Sequence, residues 1–246
     1  MSLRFKIVIP ARYASTRLPG KPLVQIIDKP MIEWVYRAAA RSEAEEVMVA
    51  TDDEQVLQTV KAFGGEACMT RSDHQTGTDR IVEVADQMEW PDDTLIVNLQ
   101  GDEPLMPAQN LTQVAQNLHA SGCDMSTLHK QINAQHARDP NVVKLVADHL
   151  GRALYFSRSP IPFARDPVTA VDYCGHIGLY AYRVGFLKSF AALPMCSMEK
   201  SEKLEQLRAL YHGFSIHTEL ARQTPGIGVD TEQDLHIVTA QLQQSL

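Results

Sequence analysis

The sequence predicts an α/β fold: a mostly parallel sheet with helices on both faces, plus a smaller antiparallel insert. Three observations carry this. Short apolar runs rich in β-branched residues, such as Phe5 to Ile9 and Thr94 to Leu99, fit strands buried on both faces of a parallel sheet. Segments with apolar residues at helical spacing alternate with them, as right-handed βαβ crossovers require. After Asp124 the alternation gives way to consecutive strand-like runs, which predicts the insert over residues 125–183.

Taken in order, Phe5 to Ile9 is the first strand, and Met31 to Arg41 follows as a helix with Ile32, Val35, Tyr36 and Ala39 on one face. Val47 to Ala50 is the next strand. Thr51-Asp-Asp-Glu starts a helix that carries Val56, Val60 and Phe63 up to Gly64-Gly65. Glu66 to Met69 is a third strand, leading through a polar loop into a helix with Ile81, Val84, Ala85 and Met88. Thr94 to Leu99 ends in Gln100-Gly-Asp-Glu-Pro104 before a helix across Leu111, Val114, Ala115 and Leu118. Met125 to Leu128, Val142 to Ala147, Ala153 to Ser157 and His176 to Tyr182 then read as strands, with a turn at Asp148 to Gly151. One long helix is expected from Met198 to Tyr211, a late strand at Ile216 to Leu220, and a last helix capped by Asp230 or Thr231.

No repeat, linker or low-complexity segment divides the 246 residues, so a single domain over 1–246 is expected. A net charge of −7 without a basic tract argues against a nucleic-acid binder, which needs a basic face for phosphates. A small polyanion remains possible if a few cations are gathered locally and a divalent metal neutralises the rest. The N-terminus lacks the regions of a signal peptide, and no apolar run approaches the ~20 residues of a spanning helix. A cytoplasmic protein without membrane contact is expected. Cys68, Cys123, Cys174 and Cys196 are widely spaced and read as reduced structural thiols.

The chemistry gathers at strand ends. The loop after the first strand carries Arg12, Arg17 and Lys21, and ligands of open α/β sheets bind outside the carboxyl ends of the strands. We read it as a triphosphate cradle; the same composition also fits a solvated turn. The loop is neither a G-x-x-x-x-G-K-[ST] phosphate loop nor a G-x-G-x-x-G dinucleotide fingerprint. Asp102 follows a strand and Gly101, and Asp230 follows Gly226 and Gly228. Each is a candidate magnesium ligand, and each equally fits a turn or helix-cap aspartate. Two such carboxylates beside a basic loop would serve attack on a phosphorus of a nucleoside triphosphate. No Ser/His/Asp or Cys/His nucleophile set is evident, so direct in-line displacement is expected.

Five stretches, in order along essentially the whole chain, carry a family likeness: Pro10-Ala-Arg-x-x-Ser-x-Arg-Leu-Pro-Gly-Lys-Pro22, Asn98-Leu-Gln-Gly-Asp-Glu-Pro104, His176-Ile-Gly-Leu-Tyr-Ala-Tyr182, Leu204-Glu-Gln-Leu-Arg208 and Pro225-Gly-Ile-Gly-Val-Asp-Thr-x-x-Asp-Leu235. Together they resemble the 3-deoxy-manno-octulosonate (Kdo) cytidylyltransferases, the CMP-Kdo synthetases. The resemblance implies a Rossmann-like fold of the nucleotide-diphospho-sugar transferase type. It also implies transfer of CMP from CTP to the anomeric hydroxyl of Kdo, with Mg2+ as cofactor, on the route to lipopolysaccharide. By this resemblance Pro10, Ala11, Arg12, Ser15, Arg17 and Lys21 would hold the triphosphate, with Lys21 and Arg17 at the reacting phosphates and Asp102 and Asp230 on magnesium. Arg71, Thr76, Gly77 and Arg80 would meet cytosine and ribose. Thr76 and Asp79 stand where family members often have Ser and Glu. Gln100, His176, Tyr180, Glu202 and Glu205 would face the sugar acid, and a homodimer through the insert is implied. From the residues alone, His176 equally fits a satisfied core histidine and Glu202 and Glu205 a solvated helix face.

Two rival functions remain at this level. One is a cytidylyltransferase for another acidic sugar, such as sialic acid or 8-amino-Kdo. The other is a nucleotide-binding module without catalysis, which would not require Lys21, Asp102 and Asp230 together.

Overall fold

The structure, a computed structural model, describes residues 3–14, 18–166 and 171–245. Its centre is strand β1 (Lys6–Pro10), whose Ile7, Val8 and Ile9 are wholly buried. Parallel partners flank it: β4 (Glu46–Thr51) on one side and β6 (Leu95–Asn98) on the other, so that Ile7 stands opposite both Val47 and Val97. A short hairpin of β2 (Gln25–Ile26) and β3 (Lys29–Pro30) lies between β1 and β4 in the chain. Beyond β4 comes β5 (Glu66–Met69), also parallel.

On the other side of β6 the direction reverses. Strand β10 (Tyr173–Arg183) runs antiparallel between β6 and β7 (Met125–Ile132), and β11 (Ile216–Leu220) closes that edge parallel to β7. The main order is β11-β7-β10-β6-β1-β4-β5. Strands β8 (Lys144–Ala147) and β9 (Ala153–Ser157) stand off this path, as a hairpin on β10. The region expected to be an insert thus supplies two strands of the main sheet and one projecting hairpin.

Two apolar layers cover the sheet because neighbouring strand residues point to opposite faces. Ile7 and Ile9 pack with α1 (Met31–Ala40), α2 (Glu54–Ala62), α4 (Ala108–Ser121) and α9 (Glu232–Ser245), through Val35, Val60, Leu118 and Val238. Val8 and Met48 face α3 (Gly77–Gln87) and α6 (Val184–Ala191), through Ile81, Val84, Leu187 and Phe190. A single turn, α5 (Ala134–Ala137), follows β7.

The expected long helix from Met198 to Tyr211 is two helices, α7 (Ser197–Glu202) and α8 (Gln206–Tyr211). Lys203 between them is left-handed, with φ 54°. The carboxylate of Glu202 accepts from the Ser157 hydroxyl and the Arg158 amide, and its carbonyl accepts from Arg158 Nε. The carbonyl that would continue the helix is therefore committed to another element. No helix of the described residues is long and apolar enough to cross a membrane.

Candidate active site

The functional side chains meet at the carboxyl ends of β1, β6 and the strands beside them, the edge where open α/β sheets bind ligands. Lys21 opens a single 3-10 turn, Lys21–Leu23, just after Gly20. Its Nζ lies 2.5 Å from Asp102 Oδ2 and 2.9 Å from Asp230 Oδ1. Asp102 stands on the turn after β6. The segment of Asp230 is drawn against that turn by a hydrogen bond from the Val229 amide to the Asp102 carbonyl, 2.8 Å. Glycine is needed for this approach at Gly226, where an added Cβ would meet Leu105 Cδ1 at 2.5 Å and Leu105 Cβ at 2.6 Å. Asp230 is not the helix cap. Thr231 Oγ1 accepts from the Asp234 amide while Asp234 Oδ2 accepts from the Thr231 amide, so the carboxylate of Asp230 is left for Lys21. Glu103 lines the same cleft as the pair, and burial, then the charge of Asp102, pushes its carboxyl up to about 8.

Asp102 and Asp230 line a cleft of about 750 Å³ that extends to His176, Lys130, Asp139, Asn141 and Arg158. His176 sits just before an irregularity of β10: opposite consecutive residues Thr127 and Leu128 the chain runs from Ile177 to Tyr180. The Thr127 hydroxyl lies within 3.0 Å of the Ile177 and Leu179 carbonyls and of His176 Nε2. A hydroxyl has one proton to give. It serves a carbonyl, so the hydroxyl oxygen accepts from Nε2–H and the imidazole keeps its proton there. Desolvation, then the neighbouring His129, pushes His176 down to about 3; the ring is neutral.

Two smaller pockets share Gly77 and Gln100 in their walls. The first, about 170 Å³, is lined by Pro10, Arg12, His74, Thr76, Gly77, Arg80 and Gln100. The start of α3 forms its wall, where Thr76 Oγ1 accepts from the Asp79 amide and Asp79 Oδ2 from the Thr76 amide, both at 3.1 Å. Thr and Asp thus build a complete capping box. Arg80 is buried, with Nη2 2.8 Å from Asp52 Oδ2 and Nη1 on the Thr70 hydroxyl. The second pocket, about 180 Å³, holds Tyr180, Tyr182, Gln100, Asn98 and Glu205. Glu205 Oε2 accepts from the Thr78 hydroxyl at 2.9 Å. Its Oε1 is buried without a hydrogen bond, 3.7 Å from Arg208 Nη2, and burial raises its pKa.

The sequence-predicted residues therefore distribute over three spaces. Lys21, Asp102, Asp230 and His176 belong to the cleft region, Pro10, Arg12, Thr76, Gly77 and Arg80 to the first pocket, and Tyr180 and Glu205 to the second. Gln100 borders both pockets. Ala11 is buried below the loop. Arg71 is exposed and paired with Asp73 at 3.1 Å. Glu202 lines none of the three spaces; it holds Ser157 and Arg158. Ser15 and Arg17 lie outside the described residues. Sequence reasoning missed Arg158 and Lys130, each isolated from the motifs, His74, which sits unassigned in the polar loop before Thr76, and Asp52, whose signal was hidden in a helix-start pattern.

The family described as cytidylyltransferase matches residues 6–218, which makes this mixed sheet, with carboxylates and a lysine at its carboxyl edge, a nucleotidyltransferase of the cytidylyltransferase class. The 3-deoxy-manno-octulosonate cytidylyltransferase of Pseudomonas fluorescens is 51% identical over 248 residues, covering 97% of this chain and 98% of that protein. That of Vibrio vulnificus is 49% identical over 243 residues, covering 96% and 97%. A solved structure of CMP:2-keto-3-deoxy-manno-octonic acid synthetase complexed with CTP superposes with a TM-score of 0.93 at 45% identity, covering 99% of both chains. A cytidylyltransferase from Leptospira borgpetersenii, 16% identical with a TM-score of 0.63 over 99% of this chain and 87% of the other, shares the fold. The chain belongs to the 3-deoxy-manno-octulosonate cytidylyltransferase family.

Proposed function

We propose that this chain transfers CMP from CTP to the anomeric hydroxyl of Kdo, releasing pyrophosphate, as a cytoplasmic step toward lipopolysaccharide. The observation that carries the reading is Lys21 seated between Asp102 and Asp230, two carboxylates that line the cleft. The first pocket suits a base and ribose, and the cleft with the second pocket suits a polyhydroxylated acid. Arg158 and Lys130 supply positive charge along the cleft for a carboxylate.

The reaction implies magnesium, and the donor set fits it. Asp102 and Asp230 are hard oxygen donors on facing segments, both within reach of one cation, the ammonium of Lys21. Magnesium is commonly held by one or two carboxylates, with substrate phosphates and water completing its octahedron. When bound, it would withdraw charge from phosphate oxygens and lower the pKa of the attacking hydroxyl. Lys21 would turn from the carboxylates to the charge developing on the α-phosphate and the leaving pyrophosphate. Neutral His176 would offer a hydrogen bond acceptor at Nδ1 and no charge. No covalent enzyme intermediate is needed.

Exposed apolar side chains on and beside the β8–β9 hairpin, Leu150, Leu154 and Phe163, the last 84% exposed, support a homodimer through this region, which sedimentation would test. The function itself is tested by pyrophosphate release with CTP and a panel of Kdo, sialic acid and 8-amino-Kdo. Turnover restricted to Kdo is expected. Preference for another acid would replace the substrate, and CTP binding without turnover on any acid would replace the enzyme by a binding module.

A further inference from the structure

Lys144 is wholly buried at the start of β8, and the mechanism above does not use it. Its Nζ lies 2.9 Å from the Asp139 carbonyl, 2.5 Å from that of Val142 and 2.6 Å from that of Arg158. All three partners are main-chain acceptors. A neutral amine has two N–H groups and a lone pair, which would face the third carbonyl; three acceptors at these distances require the three donors of an ammonium. Among the described residues no carboxylate forms an ion pair with it within 4 Å. Burial draws its pKa down from the usual lysine value, with Asp139 opposing. Such burial of a charge is costly, and three well-placed carbonyls offset that cost.

The carbonyls belong to two segments that wall the cleft. Asp139 to Val142 is a tight turn, closed by the Val142 amide on the Asp139 carbonyl and by the Asn141 amide on Asp139 Oδ1, 2.8 Å. Arg158 follows β9, and its Nη1 reaches back to the Pro140 carbonyl, 2.9 Å. Asp139, Asn141, Val142 and Arg158 all line the cleft that holds Asp102, Asp230 and His176. Beyond them, the Val143 carbonyl accepts from the His176 amide, 2.8 Å. The ammonium therefore ties the turn to the Arg158 main chain, beside the tie that the Arg158 side chain makes to the Pro140 carbonyl. None of its contacts reaches the first pocket.

We infer that Lys144 is a positioning residue whose buried ammonium fixes the Asp139–Val142 turn and Arg158 as the wall that receives the acidic sugar. The inference rests on the proposed function, and wild-type turnover with CTP and Kdo checks that reading separately. Lys144→Met keeps the length of the side chain without its donors or charge. Its KM for Kdo should rise at least tenfold while the KM for CTP stays within twofold. Lys144→Ala opens a space for a short cation, so ethylammonium should restore at least threefold of its loss in kcat/KM for Kdo, and ethanol should not. Should the Met variant fail to fold, Lys144→Gln retains two donors and should show the same selective loss. A Kdo KM within twofold of wild type, equal rises for both substrates, or rescue by ethanol as well as ethylammonium would overturn the inference. Failure of every variant to fold would also overturn it, by assigning Lys144 to stability alone.

Discussion

The ammonium of Lys21 lies 2.5 Å from Oδ2 of Asp102, and both side chains keep some access to solvent, 14% and 32% exposed. The pair joins the loop after β1 to the turn after β6, whose Asp102 lines the cleft. Partly exposed ion pairs contribute ~0–1 kcal/mol to stability, whereas charge placed at a developing oxyanion is worth ~10²–10³ in rate. Lys21→Met should therefore lower kcat by about 10²-fold or more while the unfolding free energy moves by less than about 1 kcal/mol. Pyrophosphate release and urea denaturation measure the two. Asp102→Asn and Asp230→Asn should likewise lose most turnover with the fold kept; near-normal release from both would remove the metal assignment.

Asp52 and Arg80 form the opposite kind of pair, 13% and 4% exposed with N···O 2.8 Å. The Tyr13 amide also points at Asp52 Oδ1, 3.4 Å away, so this carboxylate couples the loop after β1 to the first pocket. Removing one partner of a buried pair leaves the other uncompensated, at a cost of ~3–5 kcal/mol. Asp52→Ala should destabilise by about that amount and raise the KM for CTP more than that for Kdo. A stability change below about 1 kcal/mol, the range of surface pairs, would contradict this account.

Much of the fold could be read from the chain because the strong signals are local. Ile7 to Ile9 and Leu95 to Val97 are buried on both faces and read as strands from composition; α1 to α4 follow from helical spacing. Pairing direction was less legible. Nothing local in His176 to Tyr182 tells whether β10 joins an insert or the main sheet, since that is set by its partners β6 and β7. At the site the same limit separates neighbouring aspartates. Asp53 caps α2 through the Gln55 and Val56 amides, which leaves Asp52 for Arg80, and Thr231 caps α9, which leaves Asp230 for Lys21. Distant residues decide which of each pair caps a helix and which meets a cation. Glu202 shows the reverse: the family likeness suggested the sugar for it, whereas its carboxylate accepts from the Ser157 hydroxyl and the Arg158 amide.

His176 makes stability depend on pH. Its folded value of about 3 lies below the ordinary histidine value of 6.5, so between these limits the unfolded chain binds a proton that the folded chain refuses. The stabilisation is fully present above pH 6.5 and is lost as pH falls toward 3, at up to ~1.4 kcal/mol per pH unit for one group. Burial shifts His129 and His217 in the same direction. Unfolding free energies from urea titrations at pH 7 and pH 5 should therefore fall with acidity. His176→Asn should flatten that slope, and an unchanged slope in the variant would place the titration elsewhere.

Lys203 separates α7 from α8 in a left-handed conformation, φ 54°, which costs a residue with a Cβ ~1–2 kcal/mol and glycine little. The sequence reads as one continuous helix from Met198 to Tyr211, and the two pictures predict opposite signs for one substitution. In a helix interior Lys203→Gly would destabilise by about 1 kcal/mol, through lost propensity. At the break it should stabilise by about 0.5–1 kcal/mol, through relief of the backbone. For a chain of this size each kcal/mol moves Tm by ~2–4 °C, so a thermal melt resolves the sign. The break also frees Glu202 to hold Arg158. A more stable Lys203→Gly variant with unchanged KM for Kdo would place the strain at this junction and keep the Glu202–Arg158 clasp intact.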